Sequence, residues 1–209
     1  MKQQIEAGGE QLILLPERAL WWPAASALIV ADIHWAKSGH FRRHGLAMPA
    51  AVQTADGQRL AQIVRQYKAA RLIIAGDFFH SHLNKEVDDF THWRRQHPAL
   101  RIDFIPGNHD ILPQDLYEQW QLHIHPAGLD IAPFHIAHDE VQKPGFITIH
   151  GHLHPGIRLG QGRPLPCFCL TKNSLVLPAF GSFTGCKIVS PTDYEQLFVI
   201  GEGKVLKVK

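Results

Sequence analysis

Three histidines, His150, His152 and His154, fall within five positions of the run ITIHGHLHP, residues 147–155. Imidazole is the commonest metal ligand among side chains, although a lone histidine is more often a hydrogen-bonded polar group. The company this run keeps gives it weight. ALIVADIH ends in Asp32 and His34, RLIIAGD in Asp77, RIDFIPGNHD in Asn108, His109 and Asp110, and IAPFHIAHD in His138. Mixed carboxylate and imidazole donors suit Mn, Fe, Zn or Ni better than Ca or Mg alone. An Asp-x-His or His-x-His pair on an extended segment turns both side chains to one face, so one strand end can supply two ligands.

Each of these groups follows a short, β-branched apolar run bounded by Gly, Pro or Asp, the pattern of a buried strand. Helical patterns separate the early runs. Residues 49–70 open with Pro49 and set Leu60, Ile63, Val64 and Tyr67 on one face, with Gly57 as a point where the helix could divide. KEVDDFTHWRRQHP reads as a second helix closed by Pro98, and PQDLYEQWQ as a short third. From CFCLTKNSLVLPAF onward the chain reads as strand and turn, with a hairpin at EGK. Strands alternating with helices, then strands alone, predict two sheets packed face to face with helices outside. In α/β folds of this kind functional groups gather at the carboxyl ends of strands.

Composition narrows the classes. The 209 residues fit a single domain, 1–209, and 21 Lys+Arg against 19 Asp+Glu leave a net charge of +2, with no global field directed at nucleic acid or membrane. Cys167, Cys169 and Cys186 are odd in number and lack Cys-x-x-Cys spacing, which reads as buried thiols in a reducing compartment. MKQQIEAGGEQ carries no apolar signal core, and ALWWPAASALIVA is too short to span a bilayer and holds Pro23. A cytoplasmic protein is expected. His82, His92, His97, His123 and His125 lie in helical or loop contexts and read as solvated surface groups.

In their order along the chain, DIH, GD, GNHD, His138 and GHLH resemble the motifs of the calcineurin-like metallophosphoesterase superfamily. The flanks LPERALWWP, ADIHWAKSGHFRRHG, GDFFHS, GHLHPGIRL, LPCF and LPAFGSFTG are similar to the bacterial PdeM family of ligase-associated DNA damage response endonucleases, over about residues 12–200. The resemblance implies an α/β fold, a four-layer α/β/β/α sandwich of two mixed sheets flanked by helices. It implies two divalent cations, manganese foremost, with Fe, Zn or Ni as alternatives. Asp32, His34, Asp77 and His154 would hold the first, and Asp77, Asn108, His138 and His152 the second. Asp77 would bridge, since cations about 3.5–4 Å apart need a shared ligand. His109 would protonate the departing oxygen, with Asp110 orienting its imidazole.

Some positions depart from the pattern. Asp139 follows His138 where many members have Gly, which makes His135 the alternative ligand; Trp35 and Cys186 also differ from the usual residues. Nothing in the family pattern uses His150, which reads as a packing group or a support behind the ligands. His80 in GDFFH matches a histidine that SbcD-type DNA nucleases place near the bound phosphate, and a purely structural role stands beside that reading.

The loop HWAKSGHFRRHG interleaves Trp35 and Phe41 with Lys37, Arg42, Arg43 and His44, and Arg158 and Arg163 extend the same rim. Cations clamp phosphate oxygens and aromatic faces stack bases, as in single-strand binding grooves. The resulting expectation is a metal-dependent phosphodiesterase or nuclease acting on DNA in repair, in functional association with a DNA ligase and helicase. Two alternatives stay open: a hydrolase of small phosphodiesters or nucleotides, and a catalytically silent metal scaffold in a repair complex. The intact Asn108-His109-Asp110 trio weighs against silence, and no amphipathic segment suggests a membrane partner.

Overall fold

The computed structural model describes residues 1–35, 51–79, 85–158 and 160–209, leaving aside the side chains of 51–54 and 85–87. The first sheet is laid down in chain order. Strands β1 (Gln3–Ala7), β2 (Glu10–Leu15) and β3 (Ala19–Trp22) form an antiparallel meander that ends on β4 (Ala27–Ala31). Beyond it β5 (Arg71–Ala75), β6 (Arg101–Ile105) and β7 (Leu122–Ile124) add in parallel. Parallel neighbours need crossovers, and α1 (Ala51–Tyr67), α2 (Lys85–Arg95) and α3 (Gln114–Gln119) lie in them.

Strand periodicity sorts the core. Leu28, Val30, Leu72, Ile74, Ile102 and Phe104 join the cluster that holds the helices' Leu60, Ile63, Phe90 and Tyr117. The alternate residues Ala27, Ile29, Ala31, Ile73, Ala75 and Ile105 face the second sheet. That sheet comprises β8 (Leu129–Ile131), β9 (Phe134–Ile136), β10 (Ile147–His150), β11 (Pro155–Ile157), β12 (Leu165–Leu170), β13 (Ser174–Val176), β14 (Lys187–Ile188), β15 (Gln196–Gly201) and β16 (Lys204–Lys207). Its order is β14-β11-β12-β13-β10-β9-β8, with β15 on β12 and β16 on β15, and β9, β10 and β13 run parallel. Glu202 and Gly203, at φ 49° and 68°, make the expected two-residue hairpin between β15 and β16.

The two mixed sheets and their helices match the expected sandwich. The α-helices pack on the first sheet. Over the outer face of the second lie Val189 and Tyr194, packed on Ile157, Cys167, Cys169, Val176, Leu197 and Val199 beside the 3-10 turn Pro191–Asp193. Cys167, Cys169 and Cys186 are free thiols. No described helix is long and apolar enough to cross a membrane.

Three local expectations change. Helix α1 runs unbroken through Gly57, where a Cβ would meet the Trp35 ring at 2.9 Å. Trp35 is buried against Phe78, Phe90 and Trp93, so its ring serves the core and not a base-stacking surface. His125 is half-buried, with Nε2 2.7 Å from Asp103, where Arg71 and Arg101 also donate at 2.5 and 2.9 Å. Burial opposes ionisation of Asp103, but hydrogen bonds from Arg101, Arg71 and His125 outweigh it and hold the carboxyl well below the usual range.

Candidate metal centre

The side chains of interest all follow the carboxyl ends of parallel strands. Asp32 and His34 come after β4, Asp77 after β5, Asn108 to Asp110 after β6, His138 after β9, and His152 and His154 after β10. Both sheets therefore contribute, and two groups result. Ligand atoms of Asp32, His34 and His154 lie within 4.8 Å of one another, and so do those of Asp77, His138 and His152. The His138 ring stands between the groups, Nδ1 3.8 Å from Asp32 Oδ1 and Nε2 3.8 Å from Asp77 Oδ1.

The backbone reaches these positions by turning, not by extension. Asp32, His34, Asp77, His152 and His154 hold φ of 51°, 50°, 43°, 61° and 49°. The pairs at i and i+2 are thus left-handed bends beyond the strand ends, which corrects the expectation of extended segments. Left-handed backbone is unfavourable for a side-chain-bearing residue, though Asp and His tolerate it better than most. Cross-links hold it in place: Asp32 N–H donates to Gly76 O (3.1 Å), His34 N–H to Asp77 O (2.9 Å), and His152 N–H to Asp32 Oδ2 (2.8 Å). Space is set by glycine. A Cβ on Gly76 would lie 1.9 Å from His138 Nδ1, and one on Gly151 2.4 Å from Asp32 Oδ2.

These groups fit divalent cations. Each combines a carboxylate with two imidazoles, the donor mixture of transition-metal sites. Asp32 Oδ1, His138 Nδ1 and His154 Nε2 are buried without a hydrogen-bond partner in the protein, a costly state for polar atoms that a cation would relieve.

Residues 25–174 match the family model of calcineurin-like phosphoesterases. The chain belongs to that family. The phosphoesterase is also 30% identical to the nuclease MPE of Pseudomonas putida, covering 100% of both chains with a TM-score of 0.88. Fainter likenesses are to a protein of unknown function from Aquifex aeolicus (16% identity, 65% of this chain and 81% of that one, TM-score 0.43) and to the E. coli phosphoesterase Yfce (14%, 87% and 97%, TM-score 0.43). No curated protein matches the sequence.

The remaining expected residues of this phosphoesterase take varied places. His109 is half-exposed, with Nε2 4.0 Å from Asp77 Oδ2, while its N–H donates to Asp77 Oδ1 at 3.0 Å. Asn108 is exposed beside it, next to Gly107, whose backbone abuts Asp77. Asp110 was expected at the His109 imidazole. Its carboxylate instead accepts from the N–H groups of Phe79 (2.8 Å), Gly107 (2.8 Å) and Phe78 (3.2 Å), tying the loop after β6 to the loop after β5. Burial pushes that carboxyl up to about 7, against the three donors that favour its charge.

His135, the alternative to His138, faces away from both groups: its Nδ1 lies 2.6 Å from Asp130 Oδ1. His150 is buried behind His152 and its ring pairs weakly with Gly151 O (3.2 Å); burial lowers its proton affinity. Arg158 and Arg163 are exposed past β11. His80, Lys37, Arg42 and Arg43 lie outside the described residues, as do Phe41, His44 and His82. Missed from sequence was the part played by glycine; its signal was available, since Gly stands directly before Asp77, Asn108 and His152.

Proposed function

We propose that this phosphoesterase is a dinuclear-metal nuclease that hydrolyses phosphodiester bonds in DNA, as a single domain spanning 1–209 in a cytoplasmic setting. The observation that carries the reading is the pair of Asp/His groups, built from the strand ends of both sheets and sharing the His138 edge. The word nuclease comes from the full-length similarity to the Pseudomonas putida protein. Asp32, His34 and His154 would hold one cation, and Asp77, Asn108, His138 and His152 the other, with Asp77 serving both. Bound there, manganese in particular would polarise the phosphodiester and supply a nucleophilic water at neutral pH.

The chain's own groups complete the chemistry. His109, exposed at the rim, carries at Nε2 the proton that the departing oxygen receives. Asp110 fixes the turn that presents it, through the backbone N–H bonds to Phe78, Phe79 and Gly107. His80 meets a phosphate oxygen, and Lys37, Arg42 and Arg43 take flanking phosphates. A role in DNA repair, alongside a ligase and helicase, follows from the family resemblance of the flanks.

The test offers manganese-loaded protein single- and double-stranded DNA, a bis-aryl phosphodiester, cyclic nucleotides and an aryl phosphomonoester. Cleavage of DNA and of the diester is expected, with the DNA cleavage lost in His109→Ala and the aryl diester affected less. Turnover of small diesters or nucleotides without DNA cleavage would assign the site to those substrates, and bound metal with no hydrolysis would leave a scaffold.

A further inference from the structure

The motif LPAFGSFTG, residues 177–185, supplies no member of either metal group. Its backbone is nonetheless fully engaged from Ala179 O to Ser182 N. Arg18 Nη1 donates to Ala179 O (3.5 Å) and Gly181 O (3.0 Å), and Arg59 Nη2 donates to Phe180 O (2.5 Å). Phe180 N–H donates to Ala31 O (2.8 Å), Gly181 N–H to Asp32 O (3.2 Å), and Ser182 N–H to Asp56 Oδ2 (2.9 Å). A Cβ on Gly181 would lie 2.4 Å from Ile33 O. This strap therefore lies flat on the bend in which Asp32 and His34 hold their left-handed backbone.

The outer side of the strap is gripped by α1. Asp56 Oδ1 accepts from Ser182 Oγ at 2.5 Å, Arg59 Nη1 donates to Ser182 Oγ at 3.0 Å, and Asp56 and Arg59 pair at 3.0 Å. The Arg59 guanidinium also stands 4.3 Å over the Phe180 ring. Asp56 is 8% exposed, and a buried ion pair is a poor source of stability once its desolvation is counted. Its better use is to fix geometry.

We propose that Asp56, Arg59 and Ser182 are positioning residues of the first metal group: they clamp residues 179–182 onto Asp32 and Ile33 and so hold Asp32 and His34 in the conformation that gathers them with His154. This rests on the metal-centre reading above. The second group touches the same bend through His152 N–H on Asp32 Oδ2 (2.8 Å) and His34 N–H on Asp77 O (2.9 Å), but has anchors of its own in Gly151 N–H on His138 O (3.1 Å) and His109 N–H on Asp77 Oδ1 (3.0 Å). The clamp therefore acts on one cation more than on the other.

Manganese binding by the full chain, followed by titration and elemental analysis, tests this with Ser182→Ala, Asp56→Ala and Ser182→Thr. Wild type is expected to bind two ions. In Ser182→Ala and Asp56→Ala one ion should bind roughly 10–100-fold more weakly, the usual effect of losing a group behind a metal ligand, with the other unchanged. Ser182→Thr, which keeps the hydroxyl, should bind like wild type. Adding His154→Ala to Ser182→Ala should weaken that same ion further and leave the other in place, whereas adding His138→Ala should weaken both ions. Two ions bound with wild-type affinity in Ser182→Ala and Asp56→Ala would overturn the clamp alone. Equal weakening of both ions with a lowered Tm would also overturn it, reducing the strap to general support of the fold. Fewer than two ions in wild type would overturn the metal reading and the clamp with it.

Discussion

In the proposed centre Asp77 is the shared ligand; its carboxylate lies 3.8 Å from His138 and 4.0 Å from the His109 ring, and accepts from His109 N–H at 3.0 Å. Asp77→Asn keeps the shape and removes the charge. Both cations should weaken together, so that elemental analysis after dialysis finds less than one ion per chain; an unchanged content of two would contradict the shared role. His109→Ala makes a different claim. Metal content should stay at two while kcat on DNA falls by roughly 10²–10⁴, the span of general acid–base catalysis. The loss should shrink on an aryl diester, whose phenolate leaves without needing a proton. Equal losses on both substrates would deny His109 the acid's role. Neighbours in sequence proved deceptive here: Asp110 adjoins His109, yet the turn after β6 sends its carboxylate to the backbone of Phe78, Phe79 and Gly107.

At the scale of elements, strand ends were legible because each apolar run stops at a polar cluster, and β4, β5, β6, β9 and β10 stop where DIH, GD, GNHD, HD and GHLH begin. The conformation beyond those ends was not legible. The apolar run before Asp-x-His reads as a strand that continues through it, whereas tertiary hydrogen bonds, such as His152 N–H on Asp32 Oδ2, hold the left-handed alternative. The same holds for the 177–185 motif, whose partners Arg18, Asp56 and Arg59 lie more than a hundred residues away. Glycine offers the sharpest test. Gly76 and Gly145 share φ of 81°, but a Cβ at Gly76 would strike His138 at 1.9 Å and one at Gly145 meets nothing within 4 Å. Ala at either position should cost about 1–2 kcal/mol in backbone strain. Gly76→Ala alone should also lose the second cation. Equal metal content in the two variants would show that the glycine is not needed for space.

Across the whole molecule, two packed sheets were readable from the alternation of strands and helices. What covers the outer face of the second sheet was not, because Val189 and Tyr194 lie over it beside a 3-10 turn and not on an α-helix. Distant from the metal centre along the strands, Asp103 gathers Arg71, Arg101 and His125 from separate elements. Its carboxyl is held below the ordinary value by those hydrogen bonds against the opposing effect of burial. Its contribution is therefore complete above about pH 4, the unfolded carboxylate value, and is lost as pH falls through the lower folded one. Asp103→Asn should destabilise the fold by roughly 1.5–3 kcal/mol at neutral pH, the range for losing hydrogen bonds to a charged group whose partly exposed partners can turn to water, and should flatten the acid limb of a denaturation profile. A neutral-pH stability equal to wild type would contradict this. The most direct test of the whole account is anomalous scattering from crystals grown with manganese. Two peaks are expected about 3.5–4 Å apart, one ligated by Asp32, His34, Asp77 and His154 and one by Asp77, Asn108, His138 and His152. A single peak, or a pair too far apart to share a ligand, would contradict it.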